Sequence, residues 1–486
     1  MEVFDRPPAD PGTRTSRVLA LAVALLLGGA LIVIQNTTPV MQVFEPGPTP
    51  DELADSVSAE VPPPTPADPF TMSARFAVQA QGMPAWFAGD PQITMDTLDA
   101  WAISPENRVR SAIVAGELLG PDAPDGAIER LEELEGVFDA QSPLAADVED
   151  LLTVYTAGRD AIDDATAERL KTHHGFFGEV ALTTGLDDTH PAREPLITGG
   201  GKLAALLIGI GGGLVIVFGV GFCLFIAAIV LISMRKLRSG MGTPEPGGSV
   251  FLEAFAIFAG GFLLLMVGLA LLSGVVADET WLTVIQVCAQ WMLLAAPLWP
   301  LIRGMRWHTF CKAIGWHKDK GVFREIGAGI VGYLAGLPLL AMGIGITLGL
   351  VAVVTLFRKA AGLGEPPPPN NAVFELATSD SALVLILVFL LATVWAPLCE
   401  ESIFRGALYR HMRGRAGIVV SAVGSAFIFG LCHAYGPILV FPVVMLGVNF
   451  ALLREWRGSL IAPITAHALH NGTVSIMAYS VLRMIS

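Results

Sequence analysis

Residues 400–405 read Glu400-Glu401-Ser-Ile-Phe-Arg405, two adjacent carboxylates and a guanidinium at the end of an otherwise apolar run. A carboxylate beside hydrocarbon is costly, roughly 2.5–3.5 kcal/mol at the centre of a membrane helix and less near its end. Glu401 and Arg405 are four residues apart and could form an ion pair on a helix surface. That accounts for one carboxylate only: adjacent helical residues point about 100° apart, so Glu400 must face something else. Further on, Phe429-Gly-Leu-Cys-His433 places an imidazole at the far end of another apolar run. Taken alone, His433 reads more simply as a hydrogen-bonded packing residue. His467-Ala-Leu-His470-Asn471 then puts His467 and Asn471 one turn apart on one helix face, with His470 at its edge. Separate packing explanations for every one of these residues become improbable, because buried ionisable groups in membranes are by default functional.

The chemistry open to this set is peptide hydrolysis. A carboxylate in an apolar site can take a proton from water, and a histidine can share that task or protonate the leaving amine. A second histidine with an asparagine supplies donors for the oxyanion of a tetrahedral intermediate. Glu400, His433 and His467 are also the types that hold a divalent metal such as Zn²⁺ with water in its open position. The soluble zinc-protease pattern His-Glu-x-x-His is absent, so the metal is an open alternative here.

The elements that must position these groups are membrane helices. The chain has 486 residues, 53% hydrophobic and 15% charged, a balance foreign to a water-soluble globule of this size. Uncharged runs long enough to cross a bilayer cover residues 18–34, 203–234, 254–277, 281–302, 326–357, 381–399, 416–431, 438–453 and 459–482, about nine spans. The expected fold class is all-α: a polytopic transmembrane helical bundle with an inserted helical soluble domain. The first span follows Arg14 and Arg17 but lacks a small-x-small cleavage site, so it reads as an uncleaved anchor with residues 35–40 as a plain polar flank.

Orientation follows from the positive-inside rule. With a cytoplasmic N-terminus, the inside loops carry Arg235, Lys236 and Arg238, the six bases between 303 and 324, Arg405, Arg410, Arg413, Arg415, Arg454 and Arg457. The short outside loops carry only Arg358 and Lys359. The expected location is thus a multi-pass protein of a prokaryotic inner or plasma membrane.

The net charge of −14 conceals an asymmetry: residues 36–198 hold 29 acids against 8 bases, leaving 15 against 22 elsewhere. The expected organisation is a cytoplasmic N-terminus (1–17), the anchor (18–34), a proline-rich linker (35–69), an acidic helical extracytoplasmic domain (70–198), transmembrane helices two to five with loops (203–376) and a catalytic core (380–482). Within 70–198, Val148, Leu151, Leu152 and Tyr155 recur at helix spacing, as do Ile128, Leu131, Leu134 and Phe138. Its acid excess is most simply a solvated surface, and it could also repel acidic partners or select a basic protein partner. All five cysteines lie in or beside the spans, so no disulfide framework supports that domain.

The three motifs, in this order on successive helices, resemble the signature of the CPBP intramembrane proteases: Glu-Glu-x-x-x-Arg, Phe-x-x-x-His and His-x-x-x-Asn. That family comprises type II CaaX prenyl endopeptidases, abortive-infection (Abi) and bacteriocin-processing proteins, and lysostaphin-resistance-like proteins. The resemblance spans roughly 380–482 and reaches neither the anchor nor the acidic domain. It implies that Glu400 and His433 activate water, that His467 and Asn471 polarise the scissile carbonyl or stabilise the oxyanion, and that Glu401 and Arg405 orient the site. His470 lies outside the pattern and is expected to pack behind it. The implied substrate is a membrane-associated protein or lipidated peptide cut close to the cytoplasmic leaflet, with the bilayer as the other partner and no nucleic acid. Two other readings compete: a catalytically inactive membrane scaffold or regulator acting through the acidic domain, and a proton-relay transporter, against which the lack of paired broken-helix halves speaks.

Overall fold

The computed structural model of the chain describes residues 10–44, 60–65, 68–81, 89–197, 199–276, 278–318, 320–363 and 381–485. Among these residues every regular element is helical, as the apolar periodicity requires. Among the described residues six helices are long and apolar enough to cross a membrane: Arg14–Met41, Ala204–Ser233, Val250–Ser273, Thr280–Ile302, Val322–Ala361 and Ala382–Arg413. The last three of the nine expected spans are helical but fall outside that criterion. Ile418–Leu431 has 14 residues, Phe441–Arg457 has 17, and Ile461–Ile485 is long enough but carries the polar motif residues.

The chain divides into two compact units. The first comprises the described residues within Met1–Val43, Gly213–Val354 and Ser379–Ile476. Its centre is an aromatic cluster in which Phe255 and Phe258 meet Phe404 edge-on at 5.9 and 6.0 Å, and Phe404 meets Phe429 at 5.0 Å. Ala20 and Ala24 of the first helix are buried in the same cluster. That helix runs from Arg14 to Phe44, so the expected polar flank at 35–40 is helix, and Asn36 within it is buried. Residues 364–376 of the expected membrane segment with loops, and residues 45–59 of the expected linker, lie outside the described residues.

The second unit draws on Phe44–Gly212, Thr355–Thr378 and Met477–Ser486. Its short helices start where the sequence supplies a cap followed by proline. Asp68, Asp90, Ser104 and Ser142 each accept a backbone N–H, and Pro69, Pro91, Pro105 and Pro143 follow with φ already fixed for the helix. The apolar stripes meet in one core containing Phe70, Met95, Leu98, Ile113, Leu151 and Phe177. The few bases are shared among the many acids: Arg130 pairs with Asp99 and Asp125, Arg169 with Asp147 and Asp150, and Arg193 with Glu117 and Asp188.

Within this core Asp147 is fully buried. His173 Nδ1 lies 2.6 Å from its carboxylate, and His174 Nε2 lies 3.2 Å away but off the hydrogen-bond direction. Burial holds the pKa of His174 below its ordinary 6.5, and outweighs the raising influence of Asp147. Burial also opposes ionisation of Asp147, yet His174 and His173 together keep its pKa below the usual carboxylate value.

Candidate active site

The helix Ala382–Arg413 is not regular. Leu391–Trp395 and Glu401–Leu408 are wound as π-helix, with Ala396–Glu400 as a single α turn between them. Pro397 sits at the junction and lacks the N–H that would continue the ladder. The N–H of Ala396 reaches back five residues to Leu391 O. In the same register residue 397 would bond Ala392 O. Asn471 Nδ2 donates to that carbonyl instead, at 2.8 Å. The asparagine of the third motif thus heals the break that the proline makes just before the glutamates.

Glu400 was expected where the helix meets its basic end, but the helix continues to Arg413. At 1.5 Å per α-helical residue the intervening turns place the carboxylates roughly 15–20 Å inside that end. The uncharged window that stopped at 399 ended on the motif residues themselves.

Glu401 and Arg405 do form the four-residue pair, at 2.9 Å, but as a buried pair rather than a surface one, with their side chains 0% and 1% exposed. The same Glu401 Oε1 lies 2.9 Å from His467 Nδ1. His467 Nε2 faces Glu400 Oε2 at 3.9 Å. Neighbouring glutamates that point in different directions therefore address the two nitrogens of one ring. Arg405 stacks over Phe429 at 4.2 Å and Phe450 at 5.3 Å, and the His467 ring lies on Phe450 at 5.0 Å and 19°. Gly447 makes this stack possible, because a Cβ there would stand 3.1 Å from Arg405 Nη2 and 2.9 Å from Ala426 Cβ.

His433 lies two residues beyond the helix Ile418–Leu431. Its Nδ1 is 2.8 Å from Phe429 O, and its Nε2 has no hydrogen-bond partner among the described residues. Phe429 meets the rings of both His433 (4.7 Å) and His467 (6.2 Å) edge-on, so one side chain is the common neighbour of the two histidines. The Glu400 charge also reaches Cys432 and Tyr435 on either side of His433. His470 is turned away from this group and lies 3.3 Å from Tyr333 Oη through Nδ1.

Four buried polar atoms in this neighbourhood have no hydrogen-bond partner among the described residues: Trp395 Nε1, Glu400 Oε2, Glu401 Oε2 and Arg405 Nη2. Buried groups left unpaired in an apolar site are expensive, about 1–3 kcal/mol each, and such groups are kept where a reaction uses them. Glu400, His433 and His467 have the donor types of a zinc site, and the Glu401–His467 contact is the kind of outer bond that orients a ligating imidazole. Among the described residues, however, no three His, Cys, Asp or Glu side chains are gathered closely enough to hold a metal ion. The arrangement does not fit a metal as it stands.

Gly447, Phe450 and the π-helical winding carried no chemical signal in the sequence. Phe450 belongs to a run that reads as an ordinary apolar span. Pro397, two residues before the cysteine that precedes Glu400, was the one available hint of broken helical register.

Residues 382–473 match the family model for type II CAAX prenyl endopeptidase Rce1-like. The matched segment contains all three motifs, and it bears out the family resemblance they carry. No curated protein and no solved structure matches the chain.

Proposed function

We propose, on the premise that residues 382–473 form an Rce1-like domain, that this integral membrane protein is an endopeptidase hydrolysing a peptide bond in a membrane-associated protein or lipidated peptide. The observation that carries the reading is the convergence of Glu400 and Glu401 on opposite nitrogens of a buried His467. The 3.9 Å between Glu400 Oε2 and His467 Nε2 is a gap that one water, at about 2.8 Å from each, can bridge.

In this mechanism Glu400 takes a proton from the attacking water as the new C–O bond forms, with His433 Nε2 sharing the task. The proton then passes to the leaving amine nitrogen as the C–N bond breaks. Glu401 engages His467 Nδ1, which leaves Nε2 of the same ring to face Glu400 and the developing oxyanion. One Asn471 N–H is spent on Ala392 O, leaving the other for the scissile carbonyl. Arg405 neutralises and aims Glu401. On this reading the cut falls in a membrane-associated stretch of the substrate close to the cytoplasmic leaflet, and the positive-inside pattern of the arginines supports a cytoplasmic N-terminus.

The test is turnover of a farnesylated CaaX peptide, and of the same peptide without lipid, by the full chain in proteoliposomes. Glu400→Gln and His433→Ala should each abolish cleavage while unfolding at the same denaturant concentration as the wild type. Full activity in both variants would remove these residues from the mechanism.

A further inference from the structure

The family match begins at residue 382, yet one polar side chain that holds the candidate site comes from the first helix, far outside it. Asn36 is only 8% exposed and follows directly on the uncharged apolar run at 18–34 in the same helix. Its amide nitrogen donates to Ile32 O in its own helix at 2.7 Å and to Leu431 O at 2.8 Å. Leu431 is the last residue of the histidine helix. Carbonyls at a helix C-terminus have no partner within the helix, and in an apolar environment each one must be answered from outside. The preceding carbonyls, Ile428 O and Gly430 O, are taken by the N–H groups of Cys432 and His433.

The first helix also touches the far side of the same short loop. Gly436 has φ +72°, and a Cβ on it would stand 2.6 Å from Pro39 Cβ. His433 thus lies on a six-residue link whose ends, Leu431 and Gly436, both rest on one helical turn of the anchor. The opposite end of the anchor is tied down as well. Asp10 pairs with Arg410 at 2.8 Å, one turn beyond Arg405 on the glutamate helix, and Pro11 O accepts Ser249 N. A helix whose only task was to tether the protein would need none of these contacts.

We propose that the N-terminal anchor helix is a positioning element of the active site, in which Asn36 and Pro39 fix the loop that aims His433 at Glu400. The inference rests on the hydrolase reading for its consequence in turnover, and on geometry alone for its consequence in the loop. A displacement of about 1 Å in a catalytic group can cost on the order of 10²-fold in rate. Asn36→Leu, which keeps volume and suits an apolar surround, should therefore lower kcat 10-fold or more with KM little changed.

The experiment uses the full chain in nanodiscs with two readouts. One is kcat and KM for the farnesylated peptide. The other is the maleimide labelling rate of Cys432, beside His433, in a background where Cys223, Cys288, Cys311 and Cys399 are alanine. The expected result is a slower kcat and a faster Cys432 labelling in Asn36→Leu. A second pair covers the case in which that variant does not fold: Gly436→Ala should lose turnover by collision with Pro39, and adding Pro39→Gly should recover part of it, which a defect confined to the loop would not allow. Wild-type labelling and kcat in Asn36→Leu would overturn the proposal, and so would a Gly436→Ala defect indifferent to residue 39. If His433→Ala cleaves normally, the hydrolase reading fails, and the labelling rate alone still decides whether the anchor holds the loop.

Discussion

Replacing Arg405 by methionine removes a charge from the least hydrated place in the site while nearly conserving volume. Glu401 is 0% exposed and Arg405 1%, and their contact is 2.9 Å. Removing one member of such a buried pair leaves the other uncompensated, at a cost of about 3–5 kcal/mol. The loss of the guanidinium from between Phe429 and Phe450 adds to this, since a desolvated cation on an aromatic face contributes about 2 kcal/mol. The partner variant Glu401→Gln with Arg405→Met removes both charges and keeps an acceptor for His467 Nδ1. It should recover about 2 kcal/mol or more of the single variant's loss, because contacting groups couple by 0.5–3 kcal/mol. The assay is reversible unfolding of purified protein in mixed micelles, with wild type, both single variants and the double variant compared at pH about 7. A cost below about 1 kcal/mol for Arg405→Met, or a double variant equal to the sum of the singles, would refute the buried pair and with it the role assigned to Glu401.

Three further outcomes follow from the same geometry. Gly447→Ala places a methyl 3.1 Å from Arg405 Nη2 and should cost about 1–3 kcal/mol by overpacking and lower kcat, measured by unfolding and peptide turnover; unchanged values in both would contradict the stacking geometry. Asn471→Ala should destabilise by about 1–3 kcal/mol by leaving Ala392 O unpaired, visible as faster hydrogen exchange in residues 391–400, whereas a purely catalytic asparagine would leave exchange unaltered. In the acidic domain, His174 has its folded pKa lowered by burial, so the unfolded chain binds the proton first; the stability it contributes is complete above about 6.5 and is lost as the pH falls below that value. Exchange protection of residues 143–182, corrected for intrinsic rates, should drop between about pH 7.5 and 5.5, and equal protection at both would show that His174 does not titrate in this sense.

Much of the fold was legible because hydrocarbon imposes simple rules. Long uncharged runs had to be helices, and the apolar spacing of Ile128, Leu131 and Leu134 and of Val148, Leu151, Leu152 and Tyr155 marked two helices of the acidic segment. The identity of the motif residues was equally plain, since acids and imidazoles stand out against leucine and valine. Their mutual arrangement was not. Reading an α-helical 100° step separated Glu400 from Glu401, whereas a single imidazole with two nitrogens lets both reach His467. Asn36 was read as flank because a polar residue after an apolar run ordinarily marks the interface; only the Leu431 carbonyl, 395 positions away, explains its burial. Asn471 had a donor's chemistry in the sequence, but the carbonyl freed by Pro397 could be found only once the π-helical register was known.

The most direct test of the central claim is isotopic. The full chain in proteoliposomes is incubated in H₂¹⁸O with the farnesylated peptide, and the products are weighed by mass spectrometry. One ¹⁸O should enter the new carboxyl terminus under wild-type enzyme, with no cleavage by Glu400→Gln. Cleavage by Glu400→Gln at the wild-type rate, or products without the label, would contradict water attack directed by Glu400.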